Sequence, residues 1–303
     1  MDLKNEFLHS AKKRFKDGVF PSDYLVFCYG IYLIFICLLF HNKITLPGLY
    51  IFLNLFMMVV LLISIYFEER NTKSTMYWIH SWMPLISLTL YYTQSTVFDN
   101  LFLPETFDNL LRKCDFAFFG VSLNRVLAPL VNSLFVDETM HMIYLSFYLI
   151  LFIPGIIMLS QKYHHFHEMV FSLTLMMYVH YLFFMFFPGD GPLSDRSFLF
   201  QKGIIFIPLM NFIYRFGEYG GGAFPSTHVS AVVISFLYMR HFFKKALWII
   251  GFFCVGIIIA TVYCSYHYAI DSITGIISGL TFYFIGRKVY SRFSNSGTEL
   301  SEY

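Results

Sequence analysis

The feature that most constrains this chain is the recurrence of apolar runs long enough to cross a bilayer. They cover residues 24–40, 49–67 and 76–92, the last interrupted by His80, Ser81 and Pro84, then 142–160, 169–187, 225–239, 246–263 and 268–285. About 20 apolar residues in a helix span the roughly 30 Å hydrocarbon core of a membrane. The runs come as blocks rather than short alternating patches, which favours helices over half-buried strands. With 57% hydrophobic and 13% charged residues, the composition excludes an ordinary soluble domain. The fold class expected is all-α: a polytopic membrane helical bundle of about eight spans. The more polar stretch 93–141, with Asp99, Asp108, Arg112, Lys113, Asp115 and Arg125, reads as one or two interfacial helices.

Basic residues orient such a bundle, because cytoplasmic segments carry an excess of Lys and Arg. With the N-terminus inside, cytoplasmic segments hold fourteen of the 21 basic residues, beginning with Lys4, Lys12, Lys13, Arg14 and Lys16. This arrangement needs 76–92 to span; otherwise everything after it inverts. The first run lacks a small-residue cleavage pattern and reads as a retained span. The five cysteines show no metal-type spacing, and the formal charge of +2 gives no indication of a nucleic-acid partner. Residues 291–303, with Ser, Asn and Gly, read as a disordered tail.

Two stretches carry chemistry. Phe224-Pro225-Ser226-Thr227-His228 and His267-Tyr268-Ala269-Ile270-Asp271 each open a long apolar helix, on the same predicted face of the membrane. His267 and Asp271 are four apart, one helical turn, so the carboxylate is placed to fix the tautomer of the imidazole and raise its basicity. Pro225 suits a first turn, and Ser226 or Thr227 suits a cap. Free amides and the dipole at a helix start favour a phosphate, and Gly220, Gly221 and Gly222 let the backbone approach a ligand. These parts fit phosphoryl transfer: one His attacks phosphorus and the other protonates the leaving oxygen. The opposing reading is a polar cap and a satisfied bundle histidine, and it is the pairing of the two motifs that argues against it.

At 221–230 the sequence Gly-Gly-Ala-Phe-Pro-Ser-Thr-His-Val-Ser resembles the second signature of the phosphatidic acid phosphatase type 2 superfamily. Tyr-His-Tyr-Ala-Ile-Asp-Ser-Ile-Thr-Gly at 266–275 resembles its third, and Phe-Pro-Gly-Asp-Gly-Pro at 187–192 sits where the first belongs. The similarity runs from about 107 to 287, and 107–120 resembles the branch that also includes inositol phosphorylceramide synthase. The resemblance implies a phosphatidic acid phosphatase type 2-like core, a phosphohistidine nucleophile at His267 oriented by Asp271, and a general acid at His228. It implies lipid phosphate or lipid diphosphate substrates and no cofactor or metal. The family pattern places cations where this chain has Leu193, Thr261 and Ser265. Phosphate is therefore expected to be held by Ser226, Thr227 and Gly222, with Arg196, Lys202 and Arg215 from the 188–224 loop as replacement cations.

The division expected is 1–95 for N-terminal spans, 96–290 for the catalytic membrane unit, and 291–303 for the tail. The activity expected is lipid-phosphate hydrolysis at the non-cytoplasmic face of a multi-pass membrane protein. A head-group phosphotransferase of the inositol phosphorylceramide synthase type is the alternative. A transporter or haem carrier, using histidines such as His80, His141 and His180, stands as a reading from another class. His164, His165, His167 and Glu168 have metal-ligand types, although consecutive histidines point apart. Glu138 and His141 share a helix face and read as a polar helix end.

Overall fold

The structure is a computed structural model describing residues 18–68, 71, 73–217 and 220–296. The basic N-terminal residues before 18 and the last part of the expected tail lie outside the described residues. The described residues form helices and no named strand. In chain order the helices are α1 (Pro21–Leu39), α2 (Pro47–Phe67), α3 (Thr75–Val97), α4 (Asp108–Phe119), α5 (Leu123–Val131), α6 (Leu134–Ser160), α7 (His165–Phe186), α8 (Leu193–Leu199), α9 (Phe206–Gly217), α10 (Thr227–Phe242), α11 (Leu247–Tyr263) and α12 (Ala269–Ser296).

Each of the eight expected spans is a helix, and the all-α membrane bundle stands. Among the described residues five helices, α1, α2, α6, α7 and α12, are long and apolar enough to cross a membrane. At 16 and 17 residues α10 and α11 are short for a crossing, and α3 has the length but more polar side chains, so eight is an approximate count. The amphipathic pair α4 and α5 bends by 63° at the break between them, and Gly120 closes α4 in the left-handed conformation. Two boundaries differ from expectation. α6 begins at Leu134, because Asp137 in its first turn suits the positive helix end, and α12 continues to Ser296.

α7 is the central post. In the window that qualifies it as a span, 72% is buried, against 22% for the lipid-facing α2. A membrane offers little hydrophobic drive between helices, so close approach and interhelical hydrogen bonds hold the bundle. Tyr178 and Ser87 join α7 to α3 at 2.6 Å, Ser172 and Tyr238 join it to α10 at 2.9 Å, and His180 and Ser278 join it to α12 at 2.6 Å. Between α10 and α12 the contact is made by missing side chains. A Cβ on Gly275 would lie 2.9 Å from the Ser226 carbonyl oxygen, and one on Gly279 would lie 2.8 Å from that of Ser230. The Ser230 hydroxyl donates across this seam to the Gly275 carbonyl at 2.9 Å.

At the far end of the bundle, the buried His80 ring lies between Asp23, at 2.9 Å, and Glu68, at 2.7 Å, clasping α1, α2 and α3. At that same end, His165 contacts Glu168 at 2.5 Å, and Arg287 donates to Glu168 at 3.2 Å. His80 thus ties three helices together, His165 pairs with Glu168 inside α7, and Arg287 brings α12 to that same carboxylate.

Candidate active site

Three loops converge at the opposite end of the bundle: 187–192 after α7, 220–226 before α10, and 264–268 before α12. A short parallel bridge joins the first two, with the Gly189 amide donating to the Gly221 carbonyl at 3.2 Å and the Ala223 amide to the Gly189 carbonyl at 2.8 Å. Gly221 has φ +73°, and any Cβ there would collide with the Asp99 carboxylate, so glycine is required on both counts. The Asp190 carboxylate accepts the Gly221 amide at 2.8 Å. The second and third loops meet where the Ser226 amide donates to the Asp271 carbonyl at 3.2 Å.

α4 clamps this assembly from the side. Asp108, Arg112 and Asp115 follow at helical spacing and share one face. Asp108 accepts the Asp190 and Gly191 amides at 2.9 and 2.8 Å, fixing the first loop. Asp115, fully buried, accepts the Ala269 and Ile270 amides at 3.1 and 2.8 Å and so caps α12. Arg112 reaches the Tyr268 hydroxyl at 3.5 Å.

This framework brings His228 and His267 together, with ring centroids 6.2 Å apart. Nδ1 of His267 stands 3.5 Å from the Asp271 carboxylate, longer than a formed hydrogen bond, and that same carboxylate oxygen accepts the Tyr268 amide at 2.9 Å. Separations of this kind are common in unliganded sites and tighten around substrate. The His267 side chain is 6% exposed and lies in the loop ahead of α12. Burial pushes its pKa below the ordinary value, against the opposing pull of a hydrogen bond with the Ala223 backbone. His228, in the first turn of α10, has Nε2 3.3 Å from the Tyr144 hydroxyl and its ring against Phe147. Tyr144 also contacts the Tyr214 hydroxyl at 2.9 Å and stacks on Tyr266 at 3.9 Å.

Both histidines line a cavity of about 390 Å³. Of the residues expected to hold phosphate, Gly222 and Thr227 line it, while Ser226 is buried and caps α10 by accepting the Val229 amide at 3.4 Å. Arg196 lies one ring away, with its guanidinium 3.9 Å above Tyr214, which is itself a lining residue. Lys202 and Arg215 are not brought to the histidines. They line a separate surface groove with Gln201 and Asn211. Among the described residues no Lys or Arg lines the histidine cavity, and Asp190 does.

The departures from the family pattern have structural partners. The Thr261 hydroxyl contacts that of Ser272 at 2.9 Å, and its carbonyl accepts the His267 amide at 3.0 Å. The Ser265 hydroxyl donates to the Asn124 carbonyl at 3.1 Å. Glu138 accepts the amides of Ile204 and Phe206 and caps α9, and His141 contacts the Asp137 carbonyl at 2.8 Å, so both act at a polar helix end. Asp195 binds Asn124 and Arg125, each at 2.9 Å; burial raises its pKa, but these two bonds outweigh that and hold it below the usual carboxylate range. Sequence reasoning missed Tyr144, Asp108 and Asp115. The 108–112–115 spacing was the one signal available for the two carboxylates.

Two imidazoles facing one cavity, one of them beside a buried carboxylate and the other in the first turn of a helix, form an arrangement suited to nucleophilic attack with proton return. No curated protein and no solved structure gives a significant match to the chain. The sequence profile of the PAP2 superfamily matches residues 117–285, more than half of the chain, and the chain belongs to that superfamily.

Proposed function

We propose that this chain is an integral membrane lipid-phosphate phosphohydrolase acting through a phosphohistidine at the non-cytoplasmic face. The observation that carries this reading is the cavity shared by His228 and His267, walled at one end by the signature loops and at the other by apolar helix faces. Superfamily membership supports phosphatase-type chemistry in general. In the proposed reaction, Nε2 of His267 attacks phosphorus and the bond from phosphorus to the lipid oxygen breaks. His228 gives its proton to that oxygen. Water then attacks the phosphohistidine, His228 takes a proton from it, and phosphate leaves with His267 restored. Asp271 orients His267, and Tyr144 orients His228. The equatorial oxygens fall to the first-turn amides of α10 near Thr227 and to Gly222, with Arg196 adding positive potential across the Tyr214 ring.

A second reading, transfer of a phosphorylated head group to an alcohol, draws support from the charge in the cavity. With Asp190 in the wall and no Lys or Arg among the described lining residues, the cavity suits a singly charged phosphodiester better than a doubly charged monoester. The test is phosphate release by purified protein from lipid mono- and diphosphates, with His267→Ala alongside. Release by wild type and its loss in the variant are expected. Release that survives in His267→Ala rules out the nucleophile. Turnover that appears only on adding an acceptor alcohol selects the transferase.

A further inference from the structure

The cavity extends beyond the histidines. It continues between α3 and α6, with Tyr92, Leu88 and Leu85 descending one wall and Tyr148, Leu151 and Phe152 the other. From Tyr144, beside His228, to Phe152 is about 12 Å along α6 at 1.5 Å per residue. Below Phe152 the two helices close. The Trp82 indole of α3 stacks on Phe152 at 5.6 Å and lies where Gly155 of α6 has no side chain; a Cβ there would be 2.9 Å from the indole. Tyr148 and Phe152, at 44% and 41% exposed, rim the groove toward the bilayer. The α3 wall lies outside the matched segment 117–285.

We propose that the α3–α6 groove seats the substrate's hydrocarbon chain, with Trp82 packed at Gly155 as its lower stop, so that α3 selects the lipid on which the histidines act. The inference rests on the lipid-phosphate reading above and adds the place and the means of chain selection. Lipid tails are as apolar as the groove wall, so a chain entering from the bilayer gains little from burial. Selection therefore works by shape: a chain that follows the groove leaves its phosphate at His267, and one that cannot is displaced from it.

The experiment compares hexanoyl and decanoyl forms of one lipid phosphate in the same detergent. Leu88→Trp fills the groove half-way down. Thr89→Trp adds the same bulk at an exposed lining position without removing a core side chain, and keeps the test available if the first variant does not fold. Ile86→Trp puts tryptophan on the lipid-facing side of α3, where Ile86 is 51% exposed. The filled variants are expected to lose about tenfold more kcat/KM on the decanoyl than on the hexanoyl substrate, with Ile86→Trp keeping the wild-type ratio. Trp82→Ala removes the stop and is expected to shift preference toward longer chains. An unchanged ratio in both filled variants, or an equal fall on both substrates, overturns the groove assignment. A wild type that releases phosphate from neither form overturns the hydrolase reading; the same variants are then compared in acceptor-dependent transfer, where an unchanged ratio overturns the groove assignment.

Discussion

Replacing Gly275 with alanine tests whether the α10–α12 seam sets the distance between the two histidines. The new Cβ would lie 2.9 Å from both the Ser226 carbonyl oxygen and Cβ of Val229, where ordinary contact begins near 3.4 Å. The first turn of α10 must therefore move out by roughly half an ångström, and that turn carries His228. Overpacking of this kind costs about 1–3 kcal/mol. A misplacement of about 1 Å costs on the order of a hundredfold in rate, so about half that shift corresponds to roughly tenfold in kcat. Substrate binding draws mainly on groove and loop contacts, so KM should change little. Gly48→Ala is the control, since nothing lies within 4 Å of a Cβ there. The assay is phosphate release in detergent, with thermal unfolding measured on the same preparations. Wild-type kcat together with a wild-type melting temperature in Gly275→Ala would refute the view that this seam positions His228.

Three further outcomes follow from the site. Asp115→Ala leaves the Ala269 and Ile270 amides without their partner, at about 1–3 kcal/mol each; kcat should fall with little change in KM and recover in part in Asp115→Asn, whereas an Asn variant no better than Ala would argue against a capping role. Tyr144→Phe removes the hydroxyl 3.3 Å from His228 and should lower kcat about three- to tenfold, in line with a neutral hydrogen bond of about 0.5–1.5 kcal/mol; an unchanged kcat would remove Tyr144 from the mechanism. In the proposed mechanism His267 attacks as the neutral imidazole, and its pKa is held below the ordinary 6.5. As pH falls, kcat/KM should therefore persist through 6.5 and fail only as the lowered value is passed. A half-maximal point at or above 6.5 would contradict this.

How far the sequence could be read differs from residue to residue. His228, His267 and Asp271 were legible because their neighbours, Pro225, Ser226 and the run of glycines, state where a helix begins and what it can bind. The spans were legible because lipid demands long apolar helices. Asp108 and Asp115 were not legible, since carboxylates on a short amphipathic helix look the same whether they face water or cap another helix. Tyr144 and Trp82 were hidden for a different reason: with aromatic residues at 21% of the chain, one more in an apolar run carries no signal. The loop cations could not be placed from sequence, because charge is visible there and direction is not. Arg196 folds back over Tyr214, while Lys202 and Arg215 turn to another groove.

The α3 wall also limits how the chain can be divided. A fragment beginning at residue 96 would keep all three signature loops and both histidines, yet it would lose Leu85, Leu88, Thr89, Tyr92 and Thr93 from one side of the cavity. The signatures all fall between residues 187 and 275, but the enclosure around them also draws on the distant α3. Grafting α1–α3 from a relative onto this chain would accordingly be expected to exchange one lipid diet for another while leaving the phosphoryl chemistry where it was.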